Sequence, residues 1–236
     1  MNNATIGRLV GIGVGPGDSD LITLKAIDEL KRVKTVFVPT PADGKASLAL
    51  KIASAHLAPD CNIETLLFPM VKDPEALSAH WQRAARPVAA VLLKGCDCGF
   101  LTLGDPMLFS TYIYLVRAVK EIAPGARFET VPGISSAFAA AAKGEWPLAE
   151  GDDAIAFITG ERIGSLPALV ADFETIVIMK VGKRLPEIRT GLRALGLEKN
   201  AILAHRLGLE GESVTGVEDA DDRLGYLSTI IVRTRP

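Results

Sequence analysis

LTLGDPMLFSTY, residues 101–112, is the stretch from which the fold can be read. An apolar run stops at Gly104-Asp105-Pro106, and a new segment starts at once with Ser110, Thr111 and Tyr112. Gly104 removes a side chain where backbone must pass closely, while Pro106 sets the chain direction and withholds an N–H. Asp-Pro is also a common turn starter. The next segment, STYIYLVRAVKEI (110–122), carries apolar residues at helical spacing. The unit is a buried strand, a glycine-bearing loop and a helix.

The same unit recurs on both sides. RLVGIGVG (8–15) is a buried strand that runs into GVGPGDSD, and LITLKAIDELKRV (21–33) is helical, with Asp18, Ser19 and Asp20 as N-cap candidates. Strands are expected at 35–39, 63–69 and 98–104, with helices at 45–57 and within 75–95. This alternation implies crossover connections, a mainly parallel sheet and an α/β fold. Beyond APGA (123–126), strands are expected at 127–133, 154–160, 175–182, 201–207 and 227–235, with helices at 134–144 and 185–196. Strands here succeed one another with fewer helices, so a mixed sheet is expected. The reading is two α/β domains, 1–122 and 127–236, hinged at 123–126, without internal repeats.

Composition narrows the function. The 236 residues are 48% hydrophobic and 23% charged with a formal net charge of -2, which fits a globular chain and gives no general pull toward nucleic acid or an acidic membrane. No apolar run reaches the roughly 18 residues of a membrane span, and the first ten residues lack a basic head followed by an apolar stretch. A cytoplasmic location is expected. Three cysteines, Cys61, Cys96 and Cys98, are not a disulfide framework. His56, His80 and His205 are scattered, so the C-x-C at 96–98 lacks the clustered partners of a zinc site and no metal is expected. The acidic run at 218–222 reads as a solvated loop.

Three glycine- and serine-bearing loops remain as ligand candidates. In GIGVGPGD no register yields G-x-G-x-x-G: from Gly11, Gly13 and Gly15 the final position is Pro16, Asp18 and Asp20. The loop is either a tight strand-to-helix turn or a place where a ligand approaches backbone. LGDPMLFSTY offers backbone groups and one carboxylate. VPGISSA (131–137) places Ser135 and Ser136 at a helix start, where they can cap the helix or hold a carboxylate or ribose oxygen. In open α/β sheets ligands bind beyond the carboxyl ends of strands, where GVGPGD and GDPMLF both lie.

In this order, GVGPGD, TLGDPMLFSTY, VPGISS, and IMK (178–180) followed by RLG (206–208) resemble the tetrapyrrole methylase family over nearly the whole chain. FPMVKD (68–73), GDPMLFSTYIYL, PLAEGDD (147–153) and YLSTIIV (226–232) are similar to its precorrin-2 C20-methyltransferase subgroup of cobalamin biosynthesis, which includes the enzyme acting on cobalt-factor II. The resemblance implies a cofactor cleft between two α/β domains, S-adenosyl-L-methionine as cosubstrate, a tetrapyrrole substrate and a homodimer. By motif it implies Pro16 at the cofactor's edge and Leu103, Gly104, Asp105 and Leu108 around its methionine and ribose. Ser135, Ser136, Met179 and Gly208 would line the adenosyl pocket, with Ser110 and Thr111 as further contacts. Relatives that methylate C2 and C7 carry a carboxylate at the end of the second strand; Pro39 stands there, which argues for a different target atom.

The implied reaction is direct attack of an electron-rich meso carbon on the activated methyl group, with alignment contributing on the order of 7–11 kcal/mol. Asp105, Tyr112 and His205, or a water, are candidates for taking the C20 proton. Lys72, Arg83, Lys143, Arg162, Lys180, Lys183, Arg184 and Arg206 are candidates for the substrate's carboxylate arms. Two rivals are a macromolecule methylase, which would need a basic groove, and a binding protein without turnover.

Overall fold

A computed structural model describes residues 6–42, 46–69 and 73–235 of the chain. These form two compact units that divide between Ser135 and Ser136. In the first unit the elements are β1 (Arg8–Gly13), α1 (Leu24–Arg32), β2 (Thr35–Thr40), α2 (Leu48–Ala53), β3 (Asn62–Leu67), α3 (Pro74–Leu93), β4 (Cys98–Thr102), α4 (Tyr112–Ile122) and β5 (Arg127–Val131). The sheet order is β3-β2-β4-β1-β5, and every pairing is parallel. β1 and β4 are apolar almost without interruption because helices cover both faces of such a sheet.

Two local expectations shift. Asp18 does cap, but it caps a short 3-10 turn by accepting from the Asp20 N–H at 2.9 Å; α1 starts later, with Thr23 Oγ1 accepting from the Ala26 N–H at 3.2 Å. The hinge expected at 123–126 is instead the turn that feeds β5. β5 pairs with β1 from Arg8↔Arg127 to Ile12↔Val131, so residues 127–135 belong to the first unit. Pro and Gly mark that turn, but the pairing partner 119 residues earlier decides the boundary.

A charge network clamps the amino-terminal ends of the central strands. The Arg8 guanidinium reaches Glu29 Oε2 at 2.8 Å, Asp97 Oδ2 at 3.2 Å and Glu129, while Lys25 reaches Glu129 at 2.9 Å and Arg32 reaches Glu29 at 3.2 Å. Glu29 is almost wholly buried, so these cations compensate its desolvation. Cys98 lies in the core, where burial pushes its thiol up to about 12, and Cys96 is exposed.

The second unit contains α5 (Ser136–Gly144), β6 (Ile155–Thr159), α6 (Leu166–Asp172), β7 (Thr175–Met179), α7 (Leu185–Ala194), β8 (Ala201–His205), β9 (Ser213–Gly216) and β10 (Ser228–Arg233). Its sheet, ordered β6-β7-β10-β8-β9, is mixed as expected: β6 and β7 are parallel and the other pairs antiparallel. α6 and β9 are additions to the sequence reading. A parallel β6–β7 pair requires a crossover, and α6 supplies it. One sheet face packs on α6 and α7 through Ile176, Ile178, Leu203, Ile230 and Val232; the other meets α5 through Ile202, Ala204 and Ile231.

Candidate functional site

In the first unit, three loops leave the carboxyl ends of adjacent strands β4, β1 and β5. Three glycines bring their backbones into direct contact. A Cβ on Gly13 would lie 2.6 Å from Gly133 N and 2.7 Å from Gly104 O; one on Gly133 would lie 2.2 Å from Gly104 O. Gly104, at φ +70°, donates its N–H to Gly15 O at 2.7 Å, and Gly15 has φ +80°. These positions need glycine for a left-handed turn or for close backbone approach. The result is a junction without side chains, in which the place of a Cβ at Gly13 or Gly133 is already taken by backbone of the neighbouring loops.

Asp105 fastens this junction. Its Oδ1 accepts the Met107 N–H at 2.8 Å and its Oδ2 accepts the Gly133 N–H at 3.0 Å, joining the β4 loop to the β5 loop. The carboxylate is a brace between loops, with both oxygens engaged by backbone donors. Pro16 is buried beside Gly15, and Leu103 and Leu108 are half-buried in the β4 loop. Phe109, in the same loop, has φ +51°. Ser110 is buried: it shares a hydrogen bond with Thr102 Oγ1 at 3.0 Å and accepts the Tyr112 N–H at 3.1 Å. Its hydroxyl holds the start of α4. Thr111 is half-buried, just ahead of that helix, and makes no side-chain cap.

Tyr112 is likewise no acid–base group. It is 2% exposed, donates its hydroxyl to Glu129 O at 2.9 Å, and has its pKa raised by burial. Its ring lies where a Cβ on Gly11 would be, 2.3 Å away, so Tyr112 and Gly11 are a packing pair.

In the second unit, strand register sorts the expected residues onto two faces. Thr229 stands opposite Met179 and Ala204, and Met179 stands opposite Thr159. Residues directly opposite share a face. Ser136 Oγ, on α5, lies 3.0 Å from Thr229 Oγ1, so Thr159, Met179 and Thr229 point to the α5 side. These hydroxyls and the Met179 thioether lie on the face that meets α5, with Thr229 buried, and the sequence reading included neither Thr229 nor Thr159. The polar pair Ser228-Thr229 at the head of an apolar strand was the available signal. Ser135, the last residue of the first unit, is buried.

His205 falls on the opposite face. It is paired with Ser228 in register, and its Nδ1 lies 2.8 Å from Ser228 Oγ, whose hydroxyl donates to Gly225 O at 2.9 Å. Both bonds form together when Nδ1–H is the donor, which leaves Nε2 unprotonated. Burial, and next the Arg206 charge, lower the His205 pKa. The neutral ring is a sheet-end strut on the α6–α7 side, away from Met179 and Thr229, and this corrects its catalytic assignment.

Gly208 is exposed, with φ +69°, and its N–H donates to Glu212 Oε2 at 2.6 Å. Among the basic candidates, Lys143 pairs with Glu212 at 2.7 Å, and Arg184 pairs with Glu187 at 2.8 Å. Arg206 Nε donates to Glu210 O at 2.6 Å, and the Lys180 ammonium lies 6.0 Å from the Tyr226 ring centre. Arg83, Arg162 and Lys183 are at least partly exposed, and Lys72 lies outside the described residues.

Comparison with known proteins agrees with this architecture. A "Probable cobalt-precorrin-2 C(20)-methyltransferase" of Methanocaldococcus jannaschii is 40% identical over 178 residues, covering 75% of this chain and 74% of the relative. The Cobalt-precorrin-2 C(20)-methyltransferase of Salmonella typhimurium is 34% identical over 230 residues, with 96% of each chain covered. The crystal structure of a uroporphyrin-III C-methyl transferase from Thermus thermophilus, complexed with S-adenyl homocysteine, matches with a TM-score of 0.63 and 25% identity over 96% of this chain and 97% of that one. The family model for Tetrapyrrole (Corrin/Porphyrin) Methylases matches residues 8–220. By its loops, its two sheets and this match along most of its length, the chain belongs to the tetrapyrrole methylases.

Proposed function

We propose that this chain is an S-adenosyl-L-methionine-dependent methyltransferase that adds one methyl group to C20 of precorrin-2 or cobalt-factor II in cobalamin biosynthesis. The observation that supports the reading is the glycine frame: Gly13, Gly104 and Gly133 let three loops pack backbone against backbone at the carboxyl ends of their strands, where ligands bind in such sheets. The relatives named for C20 methylation, at 40% and 34% identity, support the target atom. The donor, when bound, supplies an activated methyl on a positively charged sulfur.

The residues act by alignment. Pro16, Leu103, Gly104 and Leu108 receive the methionine and ribose ends against the frame that Asp105 braces. Ser136, Met179, Gly208 and, newly, Thr229 receive the adenosyl end. Thr111 and Ser135 are further contacts. The cationic groups of Arg83, Arg162 and Lys183 meet carboxylate arms of the macrocycle. Asp105 is bonded to backbone, Tyr112 is buried and His205 lies on the other sheet face, which favours water over these three as the acceptor of the C20 proton. Three free cysteines suit a reducing cytoplasm, and family resemblance supports a homodimer.

Incubation with S-adenosylmethionine and either precorrin-2 or cobalt-factor II, followed by product mass and absorbance, tests the reading. A gain of one methyl is expected, and the ratio of rates names the preferred substrate. No gain with either substrate overturns it. Light scattering tests the dimer.

A further inference from the structure

We propose that Glu212 is a positioning residue that holds the Gly208 loop in the shape that receives the donor's adenosyl end. This rests on the proposed donor role of Gly208. The loop from Arg206 to Gly211 is unusual in its backbone: Arg206, Gly208 and Gly211 have φ of +51°, +69° and +79°. Glycine tolerates that region, but a residue with a Cβ adopts it only where the surroundings impose it.

The ties that impose it are identifiable. Arg206 N–H donates to Leu227 O at 2.9 Å, Leu209 N–H to Arg206 O at 2.9 Å, and Glu212 N–H to Leu209 O at 3.0 Å. Arg206 Nε closes on Glu210 O at 2.6 Å. These bonds fold the loop on itself, but none of them uses the Gly208 N–H. Glu212 supplies its acceptor through Oε2 at 2.6 Å, a hydrogen bond to a charged acceptor and so stronger than a neutral one.

The other carboxylate oxygen turns outward. Oε1 meets Lys143 Nζ at 2.7 Å, on the last turn of α5. The first residue of the same helix, Ser136, bonds Thr229. One carboxylate therefore ties the Gly208 loop to the helix whose opposite end carries Ser136, the partner of Thr229. Without it, Gly208 N–H needs a new acceptor and the loop loses its anchor to α5.

Glu212→Ala and Glu212→Gln separate this role from simple stability. Glutamine keeps an oxygen for the Gly208 N–H, and alanine does not. For Glu212→Ala we expect the S-adenosylhomocysteine dissociation constant to rise about tenfold, the scale of one hydrogen bond to a charged group. The donor KM should rise with it, while the tetrapyrrole KM stays unchanged. In the donor-free protein, hydrogen exchange at the Gly208 amide should quicken in the alanine variant and stay near wild type in the glutamine variant. A lowered Tm with unchanged affinity and unchanged Gly208 exchange overturns the proposal, as does equal loss in both variants. Failure of the wild-type chain to bind S-adenosylhomocysteine is a separate result: it removes the donor reading, and this inference with it.

Discussion

Gly133→Ala tests the glycine frame most directly. The added methyl would sit 2.2 Å from Gly104 O and 2.8 Å from both the carbonyl carbon and Cα of Gly13. All three obstacles are backbone, on β1 and in the loop after β4, so no rotamer change relieves them. The loops must separate by about 1 Å, and overpacking of that kind costs about 1–3 kcal/mol. Separation also strains the 3.0 Å bond from Gly133 N–H to Asp105 Oδ2. A hydrogen bond to a charged group is worth about 1.5–3 kcal/mol, so the expected total loss of stability is roughly 2.5–6 kcal/mol if that bond is lost. If these loops position the donor as proposed, a shift of about 1 Å in them lowers the rate on the order of a hundredfold. Urea unfolding, titration with S-adenosylhomocysteine and kcat/KM together measure this. Gly164→Ala is the control, since a Cβ there meets nothing within 4 Å. If Gly133→Ala unfolds within about 0.5 kcal/mol of wild type, the usual range for neutral surface changes, and binds the donor product equally well, the close-contact argument is wrong.

Asp105→Asn keeps one acceptor but turns an amide N–H toward a backbone N–H. A loss of about 1–3 kcal/mol is expected by urea unfolding, with weaker S-adenosylhomocysteine binding by calorimetry. Arg8→Met leaves buried Glu29 with Arg32 alone and should cost about 2–4 kcal/mol. Because Arg8 sits at the amino-terminal end of β1, kcat should not change at temperatures where the variant is folded. The lowered His205 pKa gives a sign: below the ordinary value of 6.5 the unfolded chain binds the extra proton first. His205 therefore destabilises the fold as pH falls from 6.5 through its native pKa and has no such effect above 6.5. Tm measured from pH 7.5 to 5.5 should fall less in His205→Gln than in wild type.

Strands β1, β2 and β4 could be read from apolar runs because both of their faces are buried, and α3 and α4 from helical spacing. α6 escaped because seven residues, with Pro167 in the first turn, carry little periodic signal. The domain boundary escaped because Pro-Gly at 124–125 looks like a hinge, whereas the pairing of β5 with β1 is long-range information. Within the candidate site, the loops were readable from Gly104, Gly133 and Pro16, but the roles of side chains were not. Ser110 and Tyr112 are polar in composition and structural in place, which only burial reveals. His205 and Thr229 differ in sheet face, a parity that depends on the register of β8 against β10.

Asp105 and the glycine contacts bind three neighbouring turns into a unit that contains almost no replaceable side chains. Such a surface is hard to retune by single substitutions, since a change at residue 13 or 133 collides with main chain and a change at 105 releases two amides. Adaptation toward a different macrocycle must then proceed at positions that carry ordinary side chains, with this frame inherited intact. A mutagenesis library aimed at new ring substrates would accordingly leave residues 13, 104, 105 and 133 untouched and search elsewhere.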